Sequence, residues 1–141
     1  MDFSHFFITS LQVMPEYKLR LIFGDGLSAT VDISGLICNP KPYKALKSKT
    51  LFAKAVIQGT GGHIEWTQVI AISSDHLRHL AIEQAGGIGH ERLWTWRHKS
   101  QLSVCDAAKA LGITESDYCF VTSGRFDIPR QIWAKCQILV H

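Results

Sequence analysis

Apolar and polar residues alternate through residues 17–23: Tyr17, Leu19, Leu21 and Phe23 fall on one side, Lys18 and Arg20 on the other. A period of two sends successive side chains to opposite faces of a strand, so this stretch predicts a half-buried β-strand. Residues 27–33 repeat the alternation, and Gly24-Asp25-Gly26 between them supplies the positive φ of a tight hairpin turn. An earlier strand over 6–13 is expected to join the same sheet before Pro15 breaks it. Residues 34–53 are expected to be irregular with short helical pieces, because Pro40 and Pro42 interrupt any long element. Segments 54–58 and 63–66 flank Gly59-Thr60-Gly61-Gly62 and predict a second, looser hairpin, extended by 69–72.

The spacing then becomes helical. Ser73-Ser74-Asp75 can cap a helix running to about residue 85, with Leu77, Leu80 and Ala81 on one face. Gly86-Gly87-Ile88-Gly89 follows and marks a stop and a linker, which places a domain boundary between 1–87 and 88–141. Beyond it, helices are predicted over 91–100, 103–111, 114–123 and 129–140. Ser103 is an N-cap with Asp106 three residues on, Ala107, Ala108 and Leu111 form an inward face, and Gly112 makes a turn. Ile113 plugs the angle between helices, Thr114 caps the next helix, Tyr118 and Val121 face inward, and Gly124 ends it. Two helices joined by a short glycine-containing turn match a helix-turn-helix, or equally a generic helical hairpin. The fold class is therefore α+β: a small antiparallel sheet with short helices, then an all-helical unit.

Composition mostly removes possibilities. With 46% hydrophobic and 19% charged residues the 141-residue chain is of ordinary globular make-up, and no apolar run is long enough to span a bilayer. No basic start precedes an apolar core at the N-terminus, so a cytoplasmic location is expected and no secretory signal. Cys38, Cys105, Cys119 and Cys136 form no C-x-x-C pair, which argues against disulfide or zinc frameworks and for reduced thiols, the three in the helical half acting as small buried hydrophobes. Residues 1–89 carry eight Lys/Arg against seven Asp/Glu, and 90–141 carry seven against five, so no broad basic face is indicated. His76 and His79 sit at neighbouring helical positions without a third ligand at a recognisable spacing, so no metal or other cofactor is expected. The Gly59–Gly62 stretch lacks the Lys-Ser/Thr of a phosphate loop, and no strand-turn-helix elbow frames a nucleophile, so no enzyme is expected. Among the tryptophans, Trp94 and Trp133 fall where a small helical unit needs core volume.

Leu102-Ser103, Ala108, Leu111-Gly112-Ile113-Thr114 and Gly124 together resemble the lambda-repressor-like, Xre-type helix-turn-helix family. The stretch Ile128-Pro129-Arg130-Gln131-Ile132-Trp133-Ala134 resembles bacterial proteins that join such a unit to an N-terminal domain of unknown function, type 2442. Pro15, Tyr17, Asp25-Gly26, Val31-Asp32, Leu36, Leu46, Phe52, Ile64 and Trp66 resemble the pattern of that domain. The resemblance implies a transcriptional regulator that binds double-stranded DNA as a homodimer, the second helix entering the major groove. Lys99, Arg125 and Arg130 are then candidate phosphate contacts, Ser103 and Ser116 candidate donors to phosphate oxygens, and Glu115 a candidate cytosine reader.

Four positions depart from that family's pattern. Val104 stands where a DNA-contacting glutamine is common, and Glu115 and Asp117 stand where polar or basic residues open the second helix. Thr122 replaces a glutamate that pairs with the arginine matching Arg97, so Arg97 must find another carboxylate such as Asp106 or stay solvated. These departures keep a second expectation open: a protein-interaction module, antitoxin-like or inhibitory, on a helix-turn-helix scaffold with reduced DNA binding.

Overall fold

A computed structural model of the chain describes residues 4–38 and 42–139. Residues 39–41, and with them the expected break at Pro40, lie outside it. The protein is α+β, with small antiparallel sheets and several helices. It divides into two compact units between Gln84 and Ala85.

In the first unit a 3-10 turn, Ser4–Phe6, leads into β1 (Ile8–Met14), β2 (Lys18–Phe23) and β3 (Ser28–Asp32). These pair antiparallel in the order β1-β2-β3. The alternation sets the register: Leu19 lies opposite Val13 and Val31, and Leu21 opposite Leu11 and Ala29. Leu19, Leu21, Phe23 and Val31 are consequently buried, while Arg20 faces solvent. Short helices α1 (Ser34–Cys38) and α2 (Lys49–Phe52), with a 3-10 helix Tyr43–Lys47 before α2, cover the sheet's inner side through Ile37, Leu46 and Phe52.

The sequence suggested one small sheet; the structure has two. Strands β4 (Val56–Gln58), β5 (His63–Thr67) and β6 (Ile70–Ser73) form a separate three-stranded sheet in the order β4-β5-β6. Helix α3 (Ser74–Gln84) occupies the free edge of β3. There the Gln84 side-chain amide accepts from the Asp32 N–H and donates to the Asp32 carbonyl, both at 2.8 Å, in the manner of a neighbouring strand. The two sheets meet where the Ile8 amide donates to the Gly61 carbonyl in the β4–β5 turn (2.9 Å). Trp66 ties β5 to α2 by donating from its indole to the Phe52 carbonyl at 2.9 Å.

The second unit is helical: α4 (Glu91–Lys99), α5 (Val104–Leu111), α6 (Glu115–Val121) and α7 (Arg130–Leu139). Its core is formed by Leu93, Trp96, Ala107, Ala108, Leu111, Tyr118, Ile128 and Cys136. Trp96, not Trp94, is the fully buried indole of α4, because Leu93, Trp96 and Arg97 share one helical face. Trp94 is half-buried and meets the His90 ring edge-on at 5.0 Å, while Trp133 packs on the core with Arg92 over its ring at 5.6 Å. Among the described residues no helix is long and apolar enough to cross a membrane.

Candidate nucleic-acid interface

The α5–α6 pair is built by local chemistry. The Ser103 hydroxyl accepts from the Asp106 amide at 3.0 Å and starts α5; the Thr114 hydroxyl accepts from the Asp117 amide at 3.0 Å and starts α6. Each cap satisfies one of the amides that a helix start leaves without a partner. Gly112 ends α5 in the left-handed region (φ 73°), and the Ile113 amide donates back to the Ala108 carbonyl at 3.0 Å. The Lys135 ammonium on α7 donates to the Leu111 carbonyl (2.9 Å), covering the end of α5 from outside. Ala107 and Ala108, 0% and 2% exposed, allow α6 close approach, and Tyr118 fills the space between the helices.

Thr122 closes α6 by donating from its hydroxyl to the Tyr118 carbonyl at 2.9 Å. Arg97 takes neither option expected for it: its guanidinium donates to the Leu102 carbonyl at 3.1 Å and lies beside the Tyr118 hydroxyl. Burial pushes the Tyr118 phenol above its ordinary range, and Arg97 acts against that rise. The Asp106 carboxylate is free to serve the first turn of α5 instead, where negative charge is favourable.

The residues picked out from sequence lie on several elements. Lys99 is the exposed last residue of α4, Ser103 caps α5, Arg125 is half-buried after α6, and Arg130 is exposed at the start of α7. Glu115 and Ser116 are exposed in the first turn of α6. Glu115 also reaches back to α5, where its carboxylate accepts from the Cys105 thiol and holds that thiol above its ordinary pKa. Two residues went unnoticed in the sequence. Phe120 and Phe126 are 56% and 64% exposed and face each other with ring centroids 5.9 Å apart.

The thiols also differ from expectation. Of the three expected to be buried only Cys136 is, with its pKa pushed up to about 11 by that burial, whereas Cys119 is exposed, as is Cys38 outside the helical unit. Iodoacetamide at mildly alkaline pH should therefore alkylate Cys38 and Cys119 first, Cys105 more slowly and Cys136 last. Peptide mass spectrometry over time would read that order; early loss of Cys136 would contradict the packing of α7.

Residues 8–83, from β1 to the end of α3, match the family model described as "Protein of unknown function (DUF2442)". The chain belongs to this DUF2442 family. The DUF2442 region thus coincides with the two-sheet unit, and α4–α7 lie outside it. The whole fold is similar to a crystal structure from Nitrosomonas europaea ATCC 19718, described as that of a "putative DNA binding protein". The two share 28% identity with a TM-score of 0.81, over 92% of this chain and 83% of that one. Among curated proteins none matches the chain.

Proposed function

We propose that this DUF2442 protein is a DNA-binding transcriptional regulator whose α4–α7 unit is a lambda-repressor-like, Xre-type helix-turn-helix. In this reading α6 faces the major groove. The observation that supports it best is the α5–α6 pair itself: two short hydroxyl-capped helices turned at a left-handed glycine and packed through alanines. The DNA-binding description attached to the Nitrosomonas protein points the same way. Lys99, Arg125 and Arg130 supply phosphate contacts, with the Ser103 and Ser116 hydroxyls as further donors. One such unit covers too little duplex for a tight specific site, so the regulator works as a homodimer in the cytoplasm, with no catalytic role.

Fluorescence anisotropy on a mixed genomic duplex pool across a salt series tests this reading. The binding constant should fall log-linearly with salt, by a slope of roughly −0.9 for each phosphate neutralised. Lys99→Ala and Arg130→Ala should each weaken all sequences alike and flatten the slope by about one. No salt-dependent binding even at low ionic strength would sink the DNA reading.

One observation favours a second reading. The exposed Phe120–Phe126 pair shares its helix and loop with Glu115, Asp117 and Asp127, and α6 contains no Lys or Arg. Such a surface suits a protein partner, antitoxin-like or inhibited by this chain. Specific retention of one host protein together with absent DNA binding would select this second reading.

A further inference from the structure

The face of α6 turned away from its own unit is centred on two residues. A helix advances about 100° per residue, so Ser116 and Phe120, four apart, stack on one line roughly opposite Tyr118. Burial agrees: Tyr118 is 2% exposed, Phe120 is 56% exposed and Ser116 is exposed. Phe126, 64% exposed, sits against the Phe120 ring and restricts where it can swing. Both rings leave more than half of their surface in water, so packing within this unit does not account for them.

This surface limits which base edges α6 can read. Guanine is recognised most often by a bidentate Arg or Lys, and α6 has neither. Adenine is matched by Asn or Gln, also missing from α6. Cytosine is matched by Glu or Asp, and Glu115 and Asp117 stand about 100° to either side of Ser116, off the line it shares with Phe120. The feature of the major groove that an aromatic ring complements is the C5 methyl group of thymine. That contact requires no charge and loses nothing to the carboxylates nearby.

We infer that Phe120 is a specificity-determining residue that packs on a thymine methyl group in the major groove, with Phe126 as its positioning residue. The inference rests on the DNA-binding reading and names the feature of the target that the same helix would read. Ser116 faces the adjacent base on the same line, where its hydroxyl serves as donor or acceptor.

The test starts from the tightest duplex recovered from the genomic pool, resynthesised with deoxyuridine for thymidine and, separately, with 5-bromodeoxyuridine. Uracil lacks only the methyl group, and bromine restores its bulk. A buried methyl-sized group is worth ~0.8 kcal/mol, which converts to about fourfold in affinity per contacted thymine. The uracil duplex should bind at least about fourfold more weakly, and the bromouracil duplex should recover. Phe120→Ala should bind thymine and uracil duplexes alike; as an exposed substitution it should leave the far-ultraviolet circular dichroism unchanged. Phe126→Ala should narrow the discrimination without abolishing it. Equal wild-type affinity for thymine and uracil duplexes overturns the inference alone, as does undiminished discrimination by Phe120→Ala. Absence of any DNA binding overturns the DNA reading and this inference with it.

Discussion

Asp25→Asn should destabilise the two-sheet unit by about 3 kcal/mol, the low end of the range for breaking a buried ion pair. The Arg78 guanidinium is 1% exposed and sits over the Phe23 ring, 5.0 Å from its centroid. It donates from Nη1 to Asp25 Oδ1 at 2.8 Å and from Nη2 to Oδ2 at 2.6 Å, a two-pronged pairing that a planar fork makes well. Asp25 sits in the β2–β3 turn and its side chain remains 28% exposed, hence the low end of the range. The loss is asymmetric. Removing the carboxylate takes the two-pronged Asp25 partner from a buried guanidinium, whereas Arg78→Met removes the charge and returns Asp25 partly to water. Arg78→Met should therefore cost less than Asp25→Asn, which urea midpoints would show.

The same pair predicts a pH dependence. The side-chain hydrogen bonds from Arg78 chiefly hold the Asp25 carboxyl below its ordinary value, with burial acting in the opposite direction. A carboxyl with a folded pKa below its unfolded one, ~3.9, stabilises fully above that unfolded value and loses the contribution as pH falls through the folded one. The gap in urea midpoint between wild type and Asp25→Asn should thus be constant near neutrality and close below about pH 4. A gap that widened with acid would contradict the assignment.

Nothing in the sequence marked Arg78 as buried. It lies between Leu77 and His79 on a helix where Asp75, His76, His79 and Glu83 are only half-buried, and its partner is 53 residues earlier. What the sequence did disclose was local. The β2–β3 hairpin followed from strict alternation and an Asp-Gly turn, and α5 and α6 from their capping hydroxyls and Gly112, all features that act within a few residues. The strands of the second sheet followed from its hairpin and the 69–72 extension, but whether they joined the first sheet is decided where the Ile8 amide meets the Gly61 carbonyl, far apart in sequence. In the candidate interface, Ser103, Glu115 and Ser116 were placed by capping and helical position. Phe120 and Phe126 were passed over because a phenylalanine carries no capping, turn or charge signal and their pairing spans the end of α6.

Gly61→Ala should cost about 4 kcal/mol, more than either neighbouring glycine in the same turn. Gly61 adopts φ +102°, where a side chain alone costs about 1–2 kcal/mol. Space is the larger obstacle. A Cβ there would overlap the Ile8 carbonyl oxygen and lie 2.8 Å from the Ile8 nitrogen. Those are backbone atoms of the first strand, held in register and unable to rotate away as a side chain would. Ile8 is 2% exposed, and its N–H donates to the Gly61 carbonyl. Moving the strands apart would strip a buried amide of its partner, a further penalty of about 1–3 kcal/mol. Gly59→Ala, with φ +58° and nothing within 4 Å, should bear only the conformational cost of roughly 1 kcal/mol. Gly62→Ala, in open space and without a positive φ, should be nearly neutral. The series separates two meanings of a glycine-rich turn. If these glycines only supplied flexibility, the three variants would behave alike in urea denaturation; a steep loss confined to Gly61→Ala would mean that the turn exists to let one backbone pass directly against another.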